Sequence, residues 1–180
     1  MDIDIVEEAK LGNSDAFNML VEQNKLKMYK VAKSILKNED DVCDAIQNTL
    51  LSVYTNIGKL QNNQYFSTWA TRILINKCYD IAKANQKRYS NITDIDEYLN
   101  DNGLKSYDKY NTDSIVENVL NKIDDDLRLI TVLYYYNDYS VSEISSIIGI
   151  PEGTVKSRLS RSRSKIYEII SREESGLYDE

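Results

Sequence analysis

The sequence has no histidine, one proline (Pro151), two cysteines and only six glycines in 180 residues. Without histidine, His-dependent catalytic triads and the usual imidazole metal sites are excluded. Cys43 and Cys78 are 35 positions apart, so there is no CxxC pair and no disulfide framework, and both read as small helix residues. The first twenty residues carry five acids and no apolar run, so neither a signal peptide nor a transmembrane segment is expected. A soluble, cytoplasmic chain is the expectation. No nucleophile–base pair, glycine-rich phosphate loop or carboxylate cluster with ligand spacing occurs, so the chain is expected to catalyse nothing and to hold no cofactor and no metal. So few breakers favour long helices over a many-turned β fold.

What is present is charge and helical period. Lys and Arg number 22 against 29 Asp and Glu, a net −7, and 42% of residues are hydrophobic, enough for packed cores. The total charge speaks against nucleic acid as a partner; its distribution does not. Residues 15–37 read as a helix, with Phe17, Leu20, Val21, Met28, Val31, Ile35 and Leu36 apolar. Val42, Ile46, Leu50, Val53 and Ile57 then recur along one face of a second helix, which Gly58 is expected to stop. A third helix is expected from about Phe66 to Lys87, burying Phe66, Trp69, Ala70 and Ile73. Residues 90–114 hold six acids against two lysines and no sustained apolar period, the composition of a linker, with one helical turn around 95–99. Helical pattern resumes at Ile115, Val119, Leu120 and Ile123 and again over Leu127–Tyr136. The expected fold is all-α: two small helical domains, residues 1–89 and 115–172, joined by a flexible acidic linker and followed by an acidic tail at 173–180.

The sharpest local signal lies in the second domain. Ser140-Val-Ser-Glu143 has the form of a capping box. It opens a short helix over Val141–Ile148 that Gly149 is expected to end in a left-handed conformation, after which Pro151 starts another. Helix, tight glycine turn, helix is the pattern of a helix-turn-helix. Val155, Leu159, Ile166 and Ile170 fall on one side of the second helix. Opposite lie Thr154, Ser157, Ser160, Arg161 and Ser164, flanked by Lys156, Arg158 and Lys165. Hydroxyls and guanidinium groups reach base edges in a major groove, and flanking cations hold phosphates. A solvated basic helix packed on its own domain is the other reading of the same residues.

A second cationic stretch covers residues 66–89, where Arg72, Lys77, Lys83, Lys87 and Arg88 face only Asp80. Arg72, Asn76, Tyr79, Lys83 and Lys87 fall at helical spacing on one side of that helix. Just before it, Asn62, Asn63, Gln64 and Tyr65 supply amides and a ring in a loop. Amides and a ring beside a cationic helix suit the unstacked bases of a single strand, although a polar loop and a solvated helix face would look the same.

At these residues the chain resembles a bacterial RNA polymerase sigma factor of the extracytoplasmic-function (ECF) type, in the sigma-70 family. Gly149-Ile-Pro-Glu-Gly-Thr-Val-Lys-Ser-Arg-Leu-Ser-Arg-Ser-Arg163 is similar to the family's region 4 recognition helix, commonly GIPxGTVKSRLxRAR. Asp44-Ala-Ile-Gln-Asn-Thr-Leu-Leu-Ser-Val-Tyr54 resembles the region 2 helix written DLVQETFLRAW, and Phe66-Ser-Thr-Trp-Ala-Thr-Arg-Ile-Leu-Ile-Asn76 resembles FxTWLxRIAxN. Three motifs in family order cover nearly the whole chain.

The resemblance implies a region 2 helical bundle and a region 4 helix-turn-helix, with roles for particular residues. Asp44, Gln47, Asn48, Leu50, Leu51 and Tyr54 match the helix that docks on core polymerase, Asn48 standing where the family usually has an acid. The loop from Gln61 to Tyr65, with Arg72 and Asn76, matches the part that melts the minus-ten element, although its sequence matches no common variant; Lys83 joins this candidate set by its helical spacing. Lys156, Ser157, Arg158, Ser160 and Arg161 match the reader of the minus-thirty-five element, and Thr154 and Lys165 join this candidate set by their place on the helix face. Ser145 and Ser162 replace usual alanines. The implied partners are core RNA polymerase, promoter DNA as duplex and melted strand, and an anti-sigma factor. A linker of about 25 residues can extend about 80 Å, a little over two turns of B-DNA. A helix-turn-helix regulator that never engages polymerase, and an all-helical adaptor for an acidic protein, are the other two functions the composition allows.

Overall fold

The computed structural model describes residues 3–90 and 112–176, helices joined by short turns and irregular connections, with no strand among them. The linker expected over residues 90–114, its helical turn and the end of the acidic tail lie almost wholly outside the described residues.

Among the described residues eight α-helices follow one another: α1 (Ile3–Lys10), α2 (Ser14–Ile35), α3 (Glu39–Asn56), α4 (Phe66–Ser90), α5 (Thr112–Asn121), α6 (Asp125–Tyr135), α7 (Val141–Ile148) and α8 (Glu152–Gly176). Two short 3₁₀ turns, Ile57–Lys59 and Asn63–Tyr65, join α3 to α4. Local chemistry accounts for the starts. The carboxamide oxygen of Asn13 accepts from the backbone N–H of Asp15 and Ala16 at the head of α2. Asn38 does the same for Asp40 and Asp41 at the head of α3, where Glu39, Asp40 and Asp41 also set negative charge against the positive helix end. Gly12, with φ of +91°, makes the turn between α1 and α2 that a side-chain-bearing residue would strain to make.

In the bounds of the helices, sequence expectation and structure differ in four places. Helix α1 was not anticipated: eight residues with two buried apolar side chains carry too little period to read. The long helix α3 ends at Asn56, and Gly58 lies inside the following 3₁₀ turn instead of stopping the helix itself. Helix α5 begins at Thr112, inside the segment read as linker. Pro151 caps α8 instead of forming its first turn, its carbonyl accepting from the N–H of Thr154 and Val155.

Two apolar clusters hold the molecule. The smaller joins Val6 and Ala9 of α1 to Ala16 and Leu20 of α2, Val53 of α3, Ile57, and Phe66 and Ala70 of α4. The larger crosses from the first helical unit to the second. It gathers Met28, Val31 and Ala32 of α2, Val42 and Ala45 of α3 and Leu74, Ile75 and Cys78 of α4 against Leu129, Ile130 and Leu133 of α6, Tyr139, Ile144 and Ile147, and Val155 and Leu159 of α8. Helix α2 lies on α6 and α4 on α7. The two units are therefore packed on one another here, an arrangement the sequence did not disclose.

Arg128 shows how polar groups are accommodated at that junction. It is buried, and its guanidinium donates to the carbonyls of Leu120 (2.8 Å), Ile123 (3.0 Å) and Asn121 (3.4 Å) at the end of α5. A further N–H reaches Ser34 of α2 at 3.4 Å, and Asp125 balances the charge at 3.0 Å. One side chain thus satisfies carbonyls that the end of α5 would leave unpaired.

Candidate nucleic-acid interface

The helix-turn-helix is built as its sequence suggests. The N–H of Glu143 donates to Ser140 Oγ (3.2 Å), and the N–H of Ser140 donates back to Glu143 Oε2 (2.8 Å). Gly149 ends α7 with φ of +77°, its N–H donating to the Ser145 carbonyl. Ser145 does more than stay small: its hydroxyl donates to the Ile150 carbonyl at 2.6 Å, pinning the turn just before Pro151.

Helix α8 buries Val155, Leu159 and Ser162, with Ile166 half-buried, while Ile170 is exposed, so the apolar face expected to reach Ile170 ends a turn earlier. Ser162 is buried, and its hydroxyl is satisfied by pairing with that of Thr131. Lys156, Ser157, Ser160 and Arg161 are exposed on the outer face, and Thr154 is half-buried. Two of the cations are engaged within the unit. Arg158 Nε lies 3.2 Å from Asp126, and Lys165 Nζ lies 2.6 Å from Asp124. Both acids flank the start of α6, so this acidic run sits beside the basic face.

In the first unit, α4 presents Arg72, Asn76, Tyr79 and Lys83 to solvent at helical spacing. Asn76 also lines a cleft of about 410 Å³ between α3 and α4, together with Asn56, Lys59, Trp69 and Lys77. The loop before α4 is polar and ordered by its own side chains. Asn62 Oδ1 accepts from the N–H of Gln64 (3.0 Å), and the Thr68 hydroxyl donates to the Tyr65 carbonyl (3.0 Å). The Asn63 amide donates to Glu7 Oε2 (2.8 Å) and its oxygen accepts from Lys10 Nζ (3.2 Å), both on α1. These contacts, that of Asn63 first and then Lys10, hold the Glu7 carboxyl below the usual carboxylate range. Gln64 and Tyr65 are exposed.

A third face lies on α3. Asp44, Gln47, Asn48, Leu51 and Tyr54 are exposed along it, Leu51 by 65% and Tyr54 by 58%. Tyr54 stands edge-on to Phe17 with ring centroids 5.1 Å apart. Leu50 departs from this set. It is half-buried against the larger cluster, lining an internal space with Met28 and Tyr139, because its position on the helix points to the core and not to the Leu51 face.

The structure thus separates the sequence-predicted residues into an α3 face, a loop-and-α4 stripe and an α8 face. Sequence reasoning missed Glu7 and Lys10, which reach the loop, and Arg128, Thr71 and Tyr139, which join the units. Only the long-range packing of α1 on the bundle and of α6 on α2 brings these residues to their partners, and no local pattern encodes that. Among the described residues no group of His, Cys, Asp or Glu is placed to hold a metal ion, and no helix is long and apolar enough to cross a membrane.

Comparison with known proteins agrees with this geometry. Residues 20–88 match the family model of Sigma-70 region 2, and residues 114–166 match that of Sigma-70, region 4. The ECF RNA polymerase sigma factor SigW of Bacillus subtilis is 29% identical over 175 residues, covering 89% of this chain and 92% of that protein. The RNA polymerase sigma-H factor of Pseudomonas aeruginosa is 25% identical, covering 92% of this chain and 91% of that protein. In fold, the chain is similar to CnrH in its complex with the cytosolic domain of CnrY (TM-score 0.69, 22% identity, 95% of this chain and 97% of that one). It is also similar to the sigma factor RpoE of Bartonella quintana, solved with the anti-sigma factor NepR (TM-score 0.72, 20% identity, 86% of this chain and 96% of that one). With both regions matched in order, and whole-length relatives that are ECF sigma factors, the chain belongs to the ECF group of the sigma-70 family.

Proposed function

We propose that this chain binds core RNA polymerase and directs promoter-specific initiation, itself catalysing no reaction. The α3 face, Asp44, Gln47, Asn48, Leu51 and Tyr54, docks on the polymerase. The loop at Asn62–Tyr65, with Arg72, Asn76 and Lys83, holds the melted strand of the downstream element. Helix α8 reads the upstream element through Lys156, Ser157, Ser160 and Arg161, with Thr154, Arg158 and Lys165 at its margins.

The exposure of Leu51 and Tyr54 carries this reading. Large apolar side chains set among Asp44, Gln47 and Asn48 on an ordered helix make a docking surface, and a helix-turn-helix regulator acting alone on duplex DNA has no use for one. Two DNA faces of modest strength combine through effective concentration once polymerase joins them, so neither needs to bind tightly by itself. That also reconciles an acidic total with DNA binding.

The relative RpoE has been solved with its anti-sigma factor, and regulation by such a partner is proposed for this chain too. An apolar groove between α5, α6 and α8, lined by Val119, Tyr135, Ile166, Tyr167 and Ile170, suits a helix of that partner. A cytoplasmic location follows from the proposed work on polymerase. Transcription reconstituted with purified core polymerase on genomic templates tests the whole reading: promoter-dependent initiation is expected, and its absence on every cognate template overturns it. Duplex binding without initiation would instead identify an ordinary regulator.

A further inference from the structure

We propose that Asn63 is a positioning residue, not a base reader, and that α1 clamps the strand-binding loop through it, leaving Gln64 and Tyr65 to meet the bases. This rests on the proposed role of that loop in holding melted DNA.

The loop runs from the first 3₁₀ turn to the start of α4, and the hydrogen bonds that order it are otherwise local. The N–H of Leu60 donates to Ile57, that of Tyr65 to Asn62, and that of Gln64 to the Asn62 side chain. Contacts of this kind shape a turn but do not fix where it sits on the bundle. Asn63 does: its two amide ends reach Glu7 and Lys10, more than fifty positions away in sequence. Those two residues are themselves joined, Lys10 Nζ lying 3.2 Å from Glu7 Oε2, so three side chains close a ring. The Lys10 side chain is only 18% exposed, which shields the ring partly from water. Helix α1 is a firm support, since Val6 and Ala9 are buried in the same cluster as Ile57 and Phe66, the residues that bracket the loop.

The chemistry of an amide makes the assignment. Reading a base edge with Asn uses the carboxamide oxygen and nitrogen together. At Asn63 both are already committed within the protein, with charged partners that strengthen the bonds. The Asn62 oxygen is committed too, as the cap of the second 3₁₀ turn. Of the five polar residues from Gln61 to Tyr65, Gln61, Gln64 and Tyr65 are not committed in this way, and the last two adjoin α4 and its stripe: one amide to read an edge, and one ring on which a base can stack.

The test uses holoenzyme reconstituted with full-length chain, on promoters with a randomised downstream element. It reads two quantities: the rate of strand opening, by permanganate reactivity, and the base preference at each position. Asn63→Ala and Glu7→Ala are each expected to slow opening by roughly three- to tenfold on all sequences alike, with the preference profile unchanged. Glu7→Gln, which keeps an acceptor for the Asn63 amide, is expected to restore most of the rate. The double variant is expected to be no slower than the slower single one, since both break the same ring. Gln64→Ala and Tyr65→Ala are expected to change the profile itself. Thermal unfolding and upstream-element binding, measured alongside, detect simple misfolding, which would depress both.

Two outcomes overturn the proposal: a change in base preference in Asn63→Ala that Glu7→Ala does not share, or wild-type opening in both. If the Gln64 and Tyr65 variants change the profile while the ring variants do nothing, the strand-binding loop stands and only the clamp falls. If all four leave opening and preference untouched, the reading of the loop as a strand site falls with it.

Discussion

The hydroxyl of Tyr139 lies 2.8 Å from that of Thr71, buried, across the boundary between the two helical units. Tyr139 follows the turn after α6, where Asp138 takes a left-handed φ of 59°, and Thr71 is on α4 beside the stripe proposed to meet the melted strand. Burial raises the pKa of the phenol, although its hydrogen bonds to Thr71 and Ser67 oppose the shift. Close by, Lys27 of α2 donates to the Asn137 carbonyl at 3.4 Å. Both polar atoms of the Asn137 side chain are buried without a partner among the described residues. The junction is therefore stabilised at Tyr139 and penalised at Asn137, the second by about 1–3 kcal/mol.

Tyr139→Phe leaves the buried Thr71 hydroxyl without this partner and should weaken the packed arrangement by about 1–2 kcal/mol. Cys43 is exposed and Cys78 buried, so a dye on Cys43 and another on Ser164→Cys can report the distance between α3 and α8. A longer or broader distance distribution is expected for Tyr139→Phe. Adding Thr71→Val, which removes the orphaned hydroxyl, should bring it part of the way back. An unchanged distribution in Tyr139→Phe would show that apolar packing alone holds the units together.

Leu50 and Leu51 are neighbours with opposite fates. Leu51→Ala removes an exposed side chain and should change folding stability by less than about 0.5 kcal/mol, yet lower the affinity for core polymerase several-fold. Leu50→Ala opens space beside Met28 and Tyr139 and should cost roughly 2 kcal/mol of stability. Urea unfolding and polymerase binding, measured on both variants, separate the roles. Equal losses of polymerase affinity at equal stability would return Leu50 to the docking face.

Asp126 and Asp124 pair with Arg158 and Lys165, two of the cations proposed to flank the DNA-reading face. Asp124→Asn frees one cation, so binding to arbitrary duplex should tighten and the dependence of log affinity on log salt should steepen by about one unit. Arg161, exposed on the α8 face proposed to read the upstream element, should behave differently. Arg161→Ala should cost about 1–3 kcal/mol on promoters with an intact upstream element and much less on scrambled ones. A uniform loss across sequences would mark Arg161 as a phosphate contact.

Much of the second unit was legible because its signals are local. Ser140, Glu143, Gly149 and Pro151 act within a few positions of themselves, so the helix-turn-helix could be read from spacing alone. The sequence showed serines in place of two usual alanines but not what their hydroxyls do. That Ser145 would bond Ile150 follows from the turn once it is built, whereas Ser162 meeting Thr131 depends on how α8 lies on α6. On α3 the period placed Leu50 on the apolar face with Val42 and Val53, whereas the motif grouped it with Leu51 on the docking face; adjacent residues on a helix point about 100° apart, and the structure sides with the period. Helix α1 and its hold on Asn63 were not legible, because a short helix with two buried side chains gains its structure from the bundle it packs on.

Cys78 supplies a test of the larger core by pH. Its thiol is fully buried, and burial pushes its pKa from 9.0 up to about 12. Above pH 9.0 the unfolded chain gives up this proton while the folded chain keeps it, so the unfolded state gains stability as pH rises through the window from 9.0 to about 12. Folding stability should fall there by up to about 1.4 kcal/mol per pH unit from this group. Burial also raises Tyr139, Tyr79 and Tyr29 above 10.0, so each adds a loss of the same sign that begins at higher pH. Urea midpoints below and above pH 9.0 should decline less steeply in Cys78→Ala than in the wild type, whatever that variant loses by its smaller volume. Parallel declines would mean that water reaches the thiol and that the join between α4 and α7 is open in solution. Alkylation distinguishes the same two states at neutral pH: in the native protein Cys43 should react and Cys78 should not, until denaturant exposes it.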